Sequence, residues 1–371
     1  MKVCGIITEY NPLHNGHLYH IEQARKQSEC DVLIAVMSGN FVQRGEPAVI
    51  DKWKRAEAAI RNGVDAVIEL PFVYATQSAS VFAHGGVSIL KNAKADFICF
   101  GSECGNLENL IEIAETSVNP DHLREMMDSG MSYPRAYSLL TGSMAPNDIL
   151  AVSYLKEMQS TDIKPLIVER TNEYLSEELS ELASAYAIRL ALKQKRDITG
   201  TTPMMSELAD SFLCDWDQYY PYLRTFLLMT PRETLRQCAL MSEGIEVHLK
   251  ECASKSSDWN EFLREAVTYR YTASRIRRTC LYALLQITPE EVKAASDTDH
   301  QRILAFNDKG RAWLKEMKKQ EVSTLSRFAL MSEGRKNLEY RAALLYSSVM
   351  DEKNRQKLLK DEISGARYIH E

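Results

Sequence analysis

The chain has 371 residues, of which 45% are hydrophobic and 26% are charged, and its formal net charge is −6. This composition is sufficient to bury a sizeable core, and the length favours two domains. The acidic net charge excludes a protein coated in positive charge, but it leaves room for a local basic face. The eight cysteines include no Cys-x-x-Cys pair, and we find no signal peptide and no membrane-length apolar run. We therefore expect a cytoplasmic protein with reduced thiols and no membrane partner.

Short apolar runs alternate with amphipathic helical stretches in the first half of the chain. The runs that predict strands are Val3–Thr8, Val32–Ser38, Ala66–Leu70, Phe97–Gly101 and Leu166–Glu169. The helical patterns between them are Gly16–Gln27, Lys52–Asn62, Ala79–Lys91, Leu107–Thr116 and Ile149–Gln159. This alternation predicts βαβ units and an α/β fold with a parallel sheet. Ligands of such sheets bind beyond the carboxyl ends of the strands.

Long helical stretches, separated by prolines, dominate from about Thr199 onward. Thr288-Pro289-Glu290-Glu291, for example, is typical of a helix start. We predict a catalytic α/β domain over residues 1–198 and an all-helical domain over residues 199–371.

The most informative segment joins the first strand to the first helix: Ile7-Thr8-Glu9-Tyr10-Asn11-Pro12-Leu13-His14-Asn15-Gly16-His17-Leu18. The helix start offers free backbone N–H groups to an anion, and His14 and His17 face the same way. Gly16 lets a nucleotide lie close to the backbone. The arrangement suits attack on the α-phosphorus of a triphosphate, because preorganised donors stabilise the charge that develops. Core histidines are one alternative. A metal site with His20 is another, but no carboxylate or cysteine joins it, so we expect no metal site.

This segment resembles the HIGH motif of nucleotidyltransferases and class I aminoacyl-tRNA synthetases, through His14-Asn15-Gly16-His17. The resemblance implies a Rossmann-like (HUP-type) α/β domain that binds ATP, with His14 and His17 contacting the phosphates. A second superfamily signature, a Ser/Thr-rich turn entering a helix with Ile-Arg, is matched by Ala183–Arg189. By this resemblance Ser184 belongs to the ATP site and Arg189 grips the departing pyrophosphate. Tyr186 departs from the pattern, and a solvated arginine is the alternative.

Further blocks resemble the bacterial tRNA(Met) cytidine acetate ligase family. They are Met37–Ala48, Ile68–Pro71, Phe100–Glu103, Pro146–Leu150 and Tyr269–Arg278. The resemblance implies a two-step reaction. ATP and acetate form acetyl-adenylate with release of pyrophosphate, and N4 of the wobble cytidine of elongator tRNA(Met) then takes the acetyl group. Mg²⁺ is plausible as the counterion of ATP.

By the same resemblance the ATP site combines one continuous segment with several later residues. These are Ile7, Thr8, Glu9, Tyr10, Asn11, Pro12, Leu13, His14, Asn15, Gly16, His17, Leu18, Tyr19, His20, Gly101, Asn147, Arg170, Ser184 and Arg189. Gly101 would let adenine or ribose approach the backbone, or is a simple turn glycine. Asn147 would bond ribose or base, or cap a helix. Arg170 would reach phosphate, or form a surface salt bridge. The sequence departs from the family pattern at Thr171–Leu175 and at Asp148.

One predicted helix carries a basic and aromatic cluster that suits RNA. Its members are Tyr269, Arg270, Tyr271, Arg275, Arg277 and Arg278. Arginines bind backbone phosphates and exposed tyrosines stack on unpaired bases, so we predict tRNA contacts there, with a solvated helix face as the alternative. Lys52 and Arg55, at the start of the second helix, could face the anionic substrate and are predicted to contact tRNA, with ordinary surface charges as the alternative.

Two other functions compete with the ligase. One is a nucleotidyltransferase that adenylates a phosphorylated cofactor precursor, which the large helical second half disfavours. The other is a non-catalytic RNA-binding protein with a vestigial nucleotide pocket, which the intact His14, Gly16, His17 and Arg189 disfavour.

Overall fold

The computed structural model describes residues 1–116, 119–142, 144–170, 179 and 181–370. The strands are β1 (Val3–Thr8), β2 (Val32–Ser38), β3 (Ala66–Leu70), β4 (Phe97–Ser102), β5 (Lys164–Glu169), β6 (Gln301–Phe306), β7 (Thr324–Leu325) and β8 (Arg367–Tyr368). The helices of the first half are α1 (Asn15–Ser28), α2 (Lys52–Arg61), α3 (Phe72–Ala75), α4 (Ala79–Asn92), α5 (Leu107–Glu115), α6 (Pro120–Asp128), α7 (Tyr133–Thr141), α8 (Pro146–Met158) and α9 (Ala185–Lys193). Those that follow are α10 (Met205–Ala209), α11 (Trp216–Met229), α12 (Arg232–Leu235), α13 (Ile245–Lys255), α14 (Trp259–Ala266), α15 (Ala273–Leu284), α16 (Pro289–Ala295), α17 (Asp308–Lys319), α18 (Glu333–Ser347) and α19 (Glu352–Glu362).

The first five strands form a parallel sheet in the order β5-β4-β1-β2-β3. Every residue of β2 is buried. Its alternate side chains enter two different cores: Val32, Ile34 and Val36 pack on one face of the sheet, and Leu33, Ala35 and Met37 pack on the other. Helices thus cover both faces, as the near-continuous apolar strands require. The predicted α/β fold with a Rossmann-like parallel sheet is confirmed.

The second half of the chain is mainly helical, but it is not all-helical, and the prediction needs this correction. Strand β6 extends the sheet by pairing antiparallel with β3, with Ala66 opposite Phe306, and β7 and β8 pair with β6. The six residues of β6 include Arg302 and form only a short apolar run. They become a strand because β3 would otherwise leave an unpaired edge. The division of the chain at residue 198 stays a prediction.

The fold brings the ends of several strands together at one edge of the sheet. Strand β1 lies between β4 and β2, and the chain leaves it through a turn with a cis Asn11–Pro12 peptide bond before α1 begins at Asn15. The segments that follow β4 and β5 end at the same edge. Among the described helices, none has the length and apolar character needed to cross a membrane.

Candidate active site

A cavity of about 580 Å³ opens beyond the carboxyl ends of β1, β4 and β5. Both halves of the chain line it, because the start of α15 faces the segment that follows β1. Most of the residues predicted to bind ATP lie on its wall. They are Ile7, Thr8, Glu9, Tyr10, Asn11, His14, Gly16, His17, Tyr19, His20, Gly101, Asn147, Arg170, Ser184 and Arg189.

Four residues of the predicted ATP segment do not line the cavity: Pro12, Leu13, Asn15 and Leu18. Leu13 is completely buried, and Leu18 packs against the core of that face of the sheet. The side-chain amide of Asn15 donates to the carbonyl oxygens of Glu181 and Gly200. Leu13, Asn15 and Leu18 therefore help to hold the turn and the helix start, and contact of these four residues with ATP stays a prediction.

His14 and His17 cap α1 reciprocally. The His14 Nδ1 accepts a hydrogen bond from the Gly16 N–H at 3.1 Å, and the His17 Nδ1 accepts from the His14 N–H at 3.2 Å. The two ring centroids are 3.8 Å apart. A neutral imidazole whose Nδ1 accepts must carry its proton on Nε2. Each ring therefore has an Nε2–H donor left for a ligand.

Burial keeps these imidazoles uncharged. Removal from water, with the nearby positive charges of Arg170 and Arg189, lowers the pKa of His14 to about 3. The pKa of His17 is lowered well below its usual value, mainly by burial and then by His14, and that of His20 is lowered to about 4 by burial and Arg170. The histidines thus act as neutral hydrogen-bond donors near neutral pH, and the positive charge of the site comes from the arginines and the start of α1.

The two predicted phosphate arginines both lie on the cavity wall. Arg189 donates to the carbonyl oxygen of Asn11 at 2.7 Å and to the carboxylate of Glu46 at 3.2 Å. The Nε of Arg170 is buried, and the described residues offer it no hydrogen-bond partner. A Cβ at Gly101 would lie 3.2 Å from Arg170 Cγ and Cδ, so this glycine makes room for the arginine. A positive group without a partner is available to an anion.

Asn147 and Asp148 anchor the start of α8 to the end of β4. The Asn147 amide and the backbone N–H groups of both residues donate to the Glu103 carboxylate. The Asp148 carboxylate accepts from the Ser102 hydroxyl and from the Glu103 N–H. Asp148, a departure from the family pattern, therefore has a structural partner. The other departure, Thr171–Leu175, lies outside the described residues.

The structure contradicts the interpretation of Lys52 and Arg55 as tRNA contacts. Their exposed fractions are 1% and 0%. The Lys52 ammonium contacts the carboxylates of Glu69 and Glu362, the latter at 2.8 Å. Arg55 donates to backbone carbonyls, including those of Ile50 and Glu9. Neither cation can reach a bound polymer.

The four arginines of the predicted RNA cluster have different environments. Arg275 donates to the Leu240 carbonyl and the Ser242 hydroxyl and so holds the helical half together. Arg277 lies 3.6 Å from Glu46, and Arg278 lines the cavity. Arg270 is exposed at the surface. The cluster is therefore not one continuous face.

Sequence reasoning missed several polar residues of the cavity wall. Lys156 on α8 donates to the Tyr137 hydroxyl on α7 at 2.7 Å, and both line the cavity with Arg44 and Tyr154. The sequence predicted the helix of Tyr154 and Lys156, but it did not predict α7, which carries Tyr137, and Arg44 lies in the loop after β2. Which helix faces the cavity depends on packing between elements.

The chain matches known proteins along most of its length. A model of the HIGH nucleotidyl transferase family matches residues 1–361. A Limosilactobacillus reuteri protein named tRNA(Met) cytidine acetate ligase is 41% identical over 93% of this chain and 95% of its own length. A protein of the same name from a Geobacillus species is 35% identical over 98% of both chains. This chain belongs to the tRNA(Met) cytidine acetate ligase family.

Solved structures agree with this membership. Apo Thermotoga maritima TmcAL superposes on the whole chain with a TM-score of 0.90 at 30% identity, and each chain is fully covered. The same protein bound with alpha-thio ATP gives a TM-score of 0.88 at 30% identity, again with full coverage. The family predicted from the scattered sequence blocks is confirmed.

Proposed function

We propose that the chain is an ATP-dependent ligase that activates acetate as acetyl-adenylate and transfers the acetyl group to N4 of the wobble cytidine of elongator tRNA(Met). The observation that carries the proposal is the pair of neutral imidazoles at the start of α1, facing a cavity that also holds Arg170 and Arg189. The names of the relatives supply the acceptor.

In the first step a carboxylate oxygen of acetate attacks the α-phosphorus, and pyrophosphate leaves. Negative charge grows on the non-bridging oxygens and on the leaving group. The Nε2–H groups of His14 and His17 are fixed donors for that charge. The first backbone N–H groups of α1 already have partners, since the Asn15 N–H donates to the Thr201 carbonyl and the Gly16 N–H to His14 Nδ1. Arg170 would bind phosphate through its unpaired Nε, and Arg189 would exchange its contact with Glu46 for the departing pyrophosphate.

Mg²⁺ would enter with ATP as part of the substrate. The described residues contain no group of three or more carboxylate, histidine or cysteine ligands that could hold a metal by themselves. Phosphate oxygens of ATP and water would supply most of its ligands, as is usual for this ion.

In the second step the cytidine amine attacks the acetyl carbonyl carbon and AMP leaves. The loop before α15 is the best remaining candidate for docking tRNA. Tyr269 is half-exposed, the Arg135 guanidinium lies 4.6 Å from its ring centre, and Arg270 is exposed beside it. Exposed aromatic rings with arginines suit unpaired bases and phosphates.

The test is pyrophosphate release from ATP by the purified protein, with and without acetate, followed by mass analysis of added tRNA(Met). We expect acetate-dependent release and one acetylated cytidine. Release that depends on a phosphorylated metabolite would instead identify a small-molecule nucleotidyltransferase. Binding of tRNA without any ATP turnover would identify a non-catalytic RNA-binding protein.

A further inference from the structure

The transfer step requires a proton acceptor, and this requirement rests on the proposed function. When the N4 lone pair forms the new N–C bond, the nitrogen becomes positively charged and must lose a proton to become an amide. The C–O bond to the phosphate breaks, and its electron pair leaves with AMP. A base beside the acetyl carbon typically accelerates such a step by about 10²–10⁴-fold.

His14 and His17 are poorly suited to this task. The Nδ1 atoms of His14 and His17 already accept backbone hydrogen bonds, and burial lowers the pKa of both rings far below neutrality. A base with so low a pKa holds a proton weakly. Their Nε2–H groups are donors, which fits phosphate binding instead.

The carboxylates that line the described part of the cavity are Glu9, Glu157 and Glu169. Glu157 contacts His84 at the rim, and Glu169 is exposed at the end of β5. Glu9 follows β1 directly, at the centre of the sheet and next to the His14–His17 turn. It is the carboxylate nearest along the chain to the groups that hold the α-phosphate.

The Glu9 carboxylate is held in place by one hydrogen bond, and it can accept more. Its Oε1 accepts the Gln43 N–H at 2.8 Å, while the described residues provide no hydrogen bond to Oε2. One oxygen therefore fixes the side chain and the other keeps its lone pairs for a ligand. The Gln43 contact also joins β1 to the loop after β2.

Glu9 also lies between two differently built flanks of the cavity. On the side of β4 and β5 the wall contains Gly101 and Arg170, where the nucleotide is expected. The opposite flank comes from the loop after β2, the start of α4 and the start of α15. Its polar residues are Gln43, Arg44, Ser78, Ser80, Thr272, Ser274 and Arg278. This flank offers donors and acceptors for a pyrimidine edge, and α15 follows the exposed Tyr269–Arg270 loop.

We infer that Glu9 is the general base of acetyl transfer: its Oε2 takes the N4 proton of a cytidine bound against the β2–α4–α15 flank, while the adenylate occupies the β4–β5 flank. The products are N4-acetylcytidine, AMP and a protonated Glu9, which returns its proton to solvent. This assignment gives Glu9 a different task from the ATP contact that the family resemblance implies.

The charges around Glu9 support a basic carboxylate. Burial raises its pKa above the usual value, and the negative charge of Glu46 acts in the same direction. The Gln43 N–H and the positive charges of Arg44 and Arg189 act in the opposite direction but leave the pKa raised. On the remaining sides, Arg55 on α2 contacts the Glu9 backbone oxygen and the neutral Tyr154 hydroxyl faces it from α8. A raised pKa makes a carboxylate a better base at neutral pH.

The test substitutes Glu9→Gln, whose side-chain oxygen can still accept the Gln43 N–H but cannot take a proton. Two reactions are measured separately: acetate-dependent exchange of pyrophosphate into ATP, and single-turnover transfer from preformed acetyl-adenylate to tRNA(Met). We expect exchange to stay near the wild-type rate and transfer to fall by about 10²–10⁴-fold. Wild-type transfer should slow as pH falls through the Glu9 pKa, and transfer by the variant should not. Glu22→Gln, on the exposed face of α1, is the control.

The outcomes separate this inference from the proposed function. If the wild-type protein shows no acetate-dependent exchange, the proposed function fails. If the wild-type protein is active, loss of exchange together with transfer in Glu9→Gln makes Glu9 part of the nucleotide site and overturns the inference. Undiminished transfer by the variant also overturns it. Should Glu9→Gln not fold, Glu9→Asp decides: a slowed, still pH-dependent transfer with normal exchange supports the inference, and any other result overturns it.

Discussion

Two buried polar regions lie on the same sheet, and they differ in how their polar groups are satisfied. Beside β3 and β6 an ion cluster joins Lys52, Glu69, Arg302 and Glu362. Arg302 contacts the carboxylates of Glu69 and Glu362 at 2.8 and 2.7 Å, and Lys52 contacts the same two. Both cations of the cluster are paired, although Glu362 Oε2 has no hydrogen-bond partner within the described residues. In the cavity wall, by contrast, several buried polar atoms, including one on a cation, have no partner within the described residues. They are Thr8 Oγ1, Tyr10 Oη, His20 Nε2 and Arg170 Nε.

This difference in hydrogen bonding separates the basic residues that stabilise the fold from those that can bind a ligand. A buried polar atom without a partner costs about 1–3 kcal/mol, so a cavity wall with several of them favours a ligand that completes their hydrogen bonds. A buried cation that contacts two carboxylates already has its charge balanced and does not attract a further anion. The sequence predicts that Lys52 and Arg170 both face an anion, yet of the two only Arg170 has an unpaired donor on the cavity wall.

The largest expected effect comes from breaking the ion cluster. Lys52→Met leaves Glu69 and Glu362 sharing only Arg302, and an unbalanced buried charge typically costs about 3–5 kcal/mol. We expect the free energy of unfolding, measured by urea denaturation, to fall by about that amount, while the KM for ATP of the folded enzyme stays unchanged. Lys26→Met, on the exposed face of α1, serves as control. If the free energy of unfolding of Lys52→Met equalled that of the wild type, Lys52 would not stabilise the fold.

The second prediction tests the cavity side of the comparison. His17→Ala removes one Nε2–H donor, and we expect acetate-dependent pyrophosphate release to fall by about 10²–10³-fold. Stability should fall only by the capping bond, about 1 kcal/mol, because the ring makes no ion pair. The exposed His122→Ala is the matched control. A fully active His17→Ala enzyme would rule out the proposed site.

A smaller effect is expected at the unpaired arginine. Arg170→Ala removes a charged donor worth about 1.5–3 kcal/mol, so the KM for ATP should rise by about 10–100-fold with little change in stability. Arg170→Lys keeps the charge but loses the planar fork and should recover only part of the affinity. Arg124→Ala, exposed on α6, controls for general loss of charge. If Arg170→Ala bound ATP normally, the unpaired Nε would have no functional meaning.

The smallest expected effect is the pH dependence of stability that comes from Glu339, which lies next to the ion cluster. Burial, together with the charge of Glu69, raises the pKa of Glu339 to about 7, so the folded protein holds this proton more tightly than the unfolded chain does. The resulting stabilisation is fully present below the unfolded pKa of about 4.5 and is lost as pH rises through about 7. Glu339→Gln cannot ionise and keeps an oxygen for the Phe72 N–H.

We therefore expect Glu339→Gln to gain stability relative to the wild type between pH 5 and pH 8, by about 1–3 kcal/mol. Urea denaturation at several pH values measures the difference. Glu352→Gln, at the exposed start of α19, provides the control. A pH-independent difference would show that the Glu339 proton does not contribute to folding.

The sequence by itself determined the central strands and the start of α1. Strands β1, β2 and β3 begin and end at the predicted residues, because runs of branched apolar side chains bounded by turn residues favour strands locally. His14 and His17 also form a local motif: three residues apart at a helix start, they form a reciprocal capping box.

Only the tertiary structure decided which charges are buried and which face the ligand. Glu362 lies 310 residues from Lys52 along the chain, so no local sequence pattern predicts the contact between the two side chains. The same holds for β6, which becomes a strand by pairing with β3, and for Arg278, which reaches the cavity through the packing of α15. Local periodicity specifies an element and its apolar face. The partner of a buried charge is specified by long-range packing, which brings together groups that are far apart in the sequence.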